Sequence, residues 1–156
     1  MRCMMKNDNS LFYVCSLLEY ISRLCKIEHS ELVKQIGKEN LIRLYKDADT
    51  LHCEPIAKIA DEVRNVFSIK EGKFDNISTC RYEVPDYWTI GEVFERLIED
   101  ICAKNDDAVF IIDVLVNVYT SWIDKAISNF NSDFFYQSRE YIFKSWQEGK
   151  VLQEVS

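Results

Sequence analysis

A chain of 156 residues suits one domain, or two small closely packed halves, and a domain of that size buries about two thirds of its unfolded surface. With 47% hydrophobic residues, 13% aromatics, four glycines and two prolines, the composition excludes a disordered chain and disfavours a fold of many short strands. The net charge of -7 is uneven: residues 1–83 carry 13 acidic and 13 basic side chains while residues 84–156 carry 13 and 6, an excess that works against binding nucleic-acid phosphates.

The first helix is expected from Asn9 or Ser10, either of which can cap it, to about Lys26. Leu11, Val14, Cys15, Leu18, Ile21, Leu24 and Cys25 form its apolar stripe, with Glu19, Ser22 and Arg23 outside. Ser30 is placed to cap a short helix running to Ile36, where Gly37 offers a stop, and residues 40–45 read as another short helical turn. Pro55 suits the first turn of the next helix because its missing N–H needs no partner there. Ile56, Ile59, Ala60, Val63 and Phe67 then share a face, with Lys58, Asp61, Glu62 and Arg64 outside.

Residues 11–66 include the stretch HSELVKQIGKENLIRLYKDADTLH and, after a short turn, PIAKIADEV. The apolar spacing of this region, the turn holding Tyr45 and Asp49, and the Leu51-His52 pair before the last helix make it similar to a family of small uncharacterised bacterial helical proteins. That family is found beside ADP-ribosyltransferase-like toxins, so the resemblance implies an antitoxin or accessory-partner role. It brings no catalytic motif to carry over.

Residues 68–83, with Gly72 and Asn76, lose helical periodicity and read as a connection. Cys80, Tyr82 and Val84 alternate, which allows a short extended segment near residues 77–84. The expected organisation is a helical half at 1–67, the connection at 68–83 and an acidic, aromatic-rich helical half at 84–156, together one unit. The fold class is all-α, a bundle of five to seven helices.

In the second half, Thr89-Ile90-Gly91-Glu92 has the capping-box pattern. Ile90, Val93, Phe94, Leu97, Ile98, Ile101 and Cys102 make an apolar stripe opposite an acidic face of Glu92, Glu95, Arg96, Glu99 and Asp100. Residues 104–107 form a tight loop in which Asp106 or Asp107 caps the next helix. That helix is expected to be long, over residues 107–130, and apolar on most of its circumference, with a polar stripe of Asp113, Asn117, Ser121, Asp124 and Ser128. Such a stripe is either solvent-facing, the simpler reading, or lines a pocket that a small hydrolase or transferase could use. Ser138 caps a final helix ending near Gly149. Seven of the 18 residues from 129 to 146 are aromatic, which either fill the core or, where exposed beside acidic residues, make a protein-binding patch.

No spacing in the chain assembles a reactive site. His29 and His52 have no partner at ligand spacing, and the six cysteines at 3, 15, 25, 53, 80 and 102 never form a C-x-x-C pair. Cys53 beside His52 reads as a buried structural thiol next to a loop imidazole, and the four glycines stand apart, without a phosphate loop. No catalytic residue, metal or cofactor is therefore expected. A polar N-terminus without a signal-peptide pattern, and the lack of an apolar run of spanning length, lead to an expectation of a cytoplasmic protein with reduced thiols. The expected function is non-catalytic: an antitoxin-like or inhibitor protein that presents an acidic surface to a basic protein partner through Glu92, Glu95, Glu99, Asp100, Phe134, Phe135 and Tyr136. The alternatives are a phage-encoded inhibitor of a nucleic-acid-guided defence nuclease and a small enzyme built on the polar stripe.

Overall fold

The helix at the centre of the molecule is the first one. The computed structural model describes residues 6–152, and α1 spans Lys6–Cys25. From Ser10 to Ser22 it is buried at nearly every position, polar Ser16 and Glu19 included, because neighbours pack around it on several sides. Those neighbours are α2 (His29–Ile36), α3 (Lys38–Leu51), α4 (Ile56–Val66) and, most extensively, α5 (Tyr87–Cys102). The chain continues through α6 (Ala108–Tyr119), α7 (Trp122–Ser128), a single 3-10 turn (Phe134–Tyr136) and α8 (Arg139–Glu148).

Among the described residues the fold is thus all-helical, with eight α-helices instead of five to seven and no strand. The extra helix comes from residues 107–130, which are two helices and not one. Ser121 N and Oγ both donate to Val118 O, the latter at 2.7 Å, occupying the carbonyl that Trp122 N would use in a continuing helix, while Thr120 Oγ1 adds a bond to Val116 O at 2.7 Å. Ser121, with extended backbone at φ -103° and ψ 175°, then accepts from Ile123 N and caps α7. Residues 77–84 contain no strand, and backbone N–H groups there are met by side chains rather than by a neighbouring strand. Asp75 accepts from Ile77 N and Ser78 N in a side-chain turn, and Arg81 N donates to Asn131 Oδ1 at 2.7 Å.

Several boundaries differ from expectation for identifiable reasons. α1 is already helical at Lys6, upstream of Asn9 and Ser10, so neither of these caps it. α2 starts at His29 after Glu28 without a side-chain cap, so Ser30 lies inside its first turn. α3 has 14 residues, well beyond the short turn expected at 40–45, and a single residue, Gly37 at φ 87°, separates it from α2. α5 opens at Tyr87 because Asp86, upstream of the Thr89 to Glu92 box, accepts from Thr89 N at 2.7 Å. Asp107, Ser138 and Gly149 terminate their helices as their residue types direct.

One hydrophobic core joins elements from both halves: Leu17, Leu18 and Ile21 of α1 meet Leu32, Ile36 and Leu41 as well as Phe94, Ile98 and Ile112. Each such buried side chain contributes about 1.5–3 kcal/mol. The close approach of α1 and α5 depends on Gly91, where a Cβ would lie 2.8 Å from Ser16 Cα. No helix among the described residues is long and apolar enough to cross a membrane.

Candidate binding site

The break at Ser121 separates the fates of the polar stripe. Asp113 and Asn117 on α6 are exposed, and Asp113 pairs with Lys38. Ser121 is half-buried as the cap of α7, whereas Asp124 and Ser128 are 4% and 6% exposed. The stripe is therefore solvent-facing on α6 and turned into the protein on α7.

Asp124 is buried against a histidine 95 residues away in sequence. His29 Nδ1 lies 2.6 Å from Asp124 Oδ1, and His29 Nε2 lies 2.8 Å from Glu19 Oε1. Arg23 Nε donates to the other oxygen of Glu19 at 2.7 Å and, through Nη2, to Pro85 O at 2.7 Å. Burial by itself pushes the His29 imidazole toward neutrality. The carboxylates of Asp124 and Glu19 outweigh it and hold the ring's pKa up at about 10. Burial likewise pushes Glu19 up, but the charges and hydrogen bonds of His29 and Arg23 bring it below the usual carboxylate range.

An imidazolium with each nitrogen bound to a carboxylate has no lone pair to offer as a base at neutral pH. Ser128 Oγ stands 3.5 Å from Nδ1, the nitrogen that Asp124 already occupies more closely, so the serine is not set up as an activated nucleophile. Among the described residues no group of three or more His, Cys, Asp or Glu side chains is arranged to hold a metal ion. The arrangement braces α1, α2 and α7 against one another. By spacing alone Glu19 falls outside the stripe of α1 and His29 has no partner. The Glu19 and Arg23 spacing of four is a local signal, but nothing local points to Asp124.

The cysteines spread between core and surface: Cys15, Cys25 and Cys102 are buried and Cys80 is half-buried, but Cys53, expected to be buried, is exposed because it sits in the turn that follows α3; all are free thiols. Cys3 lies outside the described residues. Burial pushes the Cys102 thiol up to about 11, away from reactivity.

The expected partner-binding residues divide into two groups. On α5, Glu92 is exposed beside Arg96 at 3.4 Å, and Glu95 is 8% exposed. Glu99 and Asp100 are half-buried under Arg139, whose Nε and Nη2 reach Asp100 at 2.8–3.1 Å and whose Nη2 reaches Glu99 at 3.3 Å. This face is largely spent on internal pairing. The aromatic group differs: Phe134 is core, Phe135 half-buried, and Tyr136 is 83% exposed.

Tyr136 shares a depression of about 510 Å³ with Tyr82, which is 65% exposed, and with Glu83, Asp133, Phe130 and Phe135. Two bonds fix the segments that form it, Arg81 N to Asn131 Oδ1 at 2.7 Å and Asn131 Nδ2 to Thr79 O at 3.1 Å. Phe130 and Phe135 meet edge to face 5.7 Å apart beneath it. Phe135 and Tyr136 were legible in the sequence as an aromatic cluster. Tyr82 and Glu83 come from the connection about fifty residues earlier, and only the fold brings them there.

Comparison with protein-family models, curated proteins and solved structures finds no match to the chain.

Proposed function

We propose that the protein is a non-catalytic binding module of antitoxin-like or inhibitor type, and that it engages a protein partner with a basic surface through the Tyr82 and Tyr136 patch. The observation that carries this reading is the pairing of two highly exposed tyrosines with Glu83 and Asp133 around one depression. Interface hot spots are rich in Tyr because a large, stiff ring buries much apolar area at little entropic cost while its hydroxyl stays satisfied. The carboxylates beside the rings steer a basic surface toward them and disfavour acidic competitors. An antitoxin role agrees with the resemblance of residues 11–66, and the overall negative charge agrees with a basic target.

Affinity capture from native cells, followed by titration with the recovered protein, tests the reading. Tyr82→Ala with Tyr136→Ala is expected to weaken binding about 30-fold or more, corresponding to about 2 kcal/mol. Glu83→Lys with Asp133→Lys is expected to lower the association rate and reduce its salt dependence, while Glu92→Lys leaves binding nearly unchanged. Recovery of no stoichiometric protein partner, or full affinity in both double variants, removes the proposal.

A further inference from the structure

The two carboxylates on the rim of the Tyr82 and Tyr136 depression, Glu83 and Asp133, differ from those of α5. Glu92, Glu99 and Asp100 each have an arginine beside them. Glu83 and Asp133 are exposed, and among the described residues neither carboxylate has a hydrogen-bond or ion-pair partner. Asp133 precedes the 3-10 turn without capping it through its side chain. Neither carboxylate therefore holds the fold together, and both remain available to a cation from outside.

No lysine or arginine lines the depression among the described residues. Arg81, adjacent to Tyr82 in the chain, is the cation that bears on it. Its guanidinium lies 6.0 Å from the centroid of the Tyr82 ring and pairs with neither rim carboxylate. An exposed contact of that kind is weak, and Tyr82 is still 65% exposed beneath it. Arg81 thus offsets part of the acidic field without filling the depression.

An independent observation concerns the shape of the cation. Phe130, in the floor of the depression, has the guanidinium of half-buried Arg23 over its ring at 5.4 Å, with that arginine's nitrogens held by Glu19 and Pro85 O. Two rings around the depression, Phe130 and Tyr82, therefore already carry a guanidinium of the chain itself. A guanidinium is planar and weakly hydrated, so it lies on a ring while its fork donates to a carboxylate; an ammonium sheds more water for the same contact.

We propose that the depression receives an arginine side chain presented by the basic partner, its guanidinium lying on the Tyr82 and Tyr136 rings in place of Arg81 and donating to Glu83 and Asp133. This inference rests on the reading of the patch as the binding face and names the group that the patch selects.

The test titrates the full chain with the amides of Nα-acetylarginine, Nα-acetyllysine and Nα-acetylcitrulline, following tyrosine ring resonances by NMR. Citrulline keeps the shape of arginine without its charge. The Tyr82 and Tyr136 signals are identified by their loss in Tyr82→Leu and Tyr136→Leu, with the fold checked by circular dichroism. The expected result is saturable binding of the arginine amide at millimolar concentration, with shifts centred on those two rings. It should bind about threefold tighter than the lysine amide and about tenfold tighter than the citrulline amide. Glu83→Gln with Asp133→Asn, both surface changes, should weaken the arginine amide about tenfold and leave the citrulline amide unaffected. Each tyrosine variant should weaken it about threefold. Arg81→Gln, which frees a ring face and removes a like charge, should tighten it about threefold. Equal or tighter binding of the lysine or citrulline amide, shifts away from the two tyrosines, weakening by Arg81→Gln, or no saturable binding overturns the arginine anchor. If the anchor fails in this way while Tyr82→Ala with Tyr136→Ala still weakens a captured partner, the patch reading stands without it. A captured partner indifferent to both tyrosines removes the patch reading itself.

Discussion

His29 shows how the surroundings of one residue decide its chemistry. A lone histidine at a helix start is ambiguous, but here each ring nitrogen is held by a carboxylate in the interior, and the charge is retained. Removing one member of a buried, hydrogen-bonded ion cluster leaves a charge uncompensated, so Asp124→Asn is expected to destabilise the protein by about 3–5 kcal/mol in urea unfolding. The pH dependence has a defined sign. The folded pKa of His29, about 10, lies above its usual 6.5, so its stabilisation is full below pH 6.5 and is lost as pH rises toward 10. Glu19 is depressed, so its contribution is present above its usual 4.5 and is lost as pH falls through the lower folded value. Between about pH 6.5 and 8.5, unfolding free energy is expected to fall by up to about 1.4 kcal/mol per unit, and a His29→Gln variant should lose that slope.

At the level of elements, close approach and interruption matter more than propensity. α5 carries a glycine in its first turns, a placement that weakens an isolated helix. The benefit appears in packing, since that glycine lets α5 lie directly against Ser16 of α1. Gly91→Ala should improve helix propensity and still destabilise, by about 1–3 kcal/mol, because the methyl meets backbone. Ala103, exposed at the end of the same helix with φ 49°, is the reference: Ala103→Gly should raise the thermal midpoint slightly while Gly91→Ala lowers it. Thr120 and Ser121 act in the opposite direction, by interrupting a helix. They end α6 and restart the chain as α7, which brings Asp124 inward to His29 while Asp113 stays in solvent.

For the whole molecule, the distribution of the core sets the unit of folding. α1 from the first half packs most heavily on α5 from the second, and Phe94 and Tyr119 of the second half flank His29 of the first, with ring centroids 5.4 and 5.0 Å away. Neither half can close its core alone. A chain of residues 1–83 or 84–156 should therefore lack cooperative unfolding, and the two mixed should regain it, whereas the full chain should unfold in one transition with fluorescence and circular dichroism coincident. Two separate transitions in the full chain would mean independent halves.

Helical content, the apolar stripes of α4 and α5, and the ends at Asp107, Ser138 and Gly149 were determined by local residue types and spacing, whereas α1 buries Glu19 and Ser22 from its expected polar side and exposes Leu24 from its expected stripe. Such local features depend on neighbours within a turn or two, which a single sequence contains. The same holds for Phe135 and Tyr136 as an aromatic cluster. Tertiary structure alone decided that α1 and not the apolar stretch at 107–130 is the central helix, that the acidic face of α5 closes on Arg139, and that His29 meets Asp124. It also decided that Tyr82 joins Tyr136 and that Phe12 joins Trp88. These outcomes depend on side chains tens of residues apart, and periodicity reports which face of a helix is apolar without reporting what covers it.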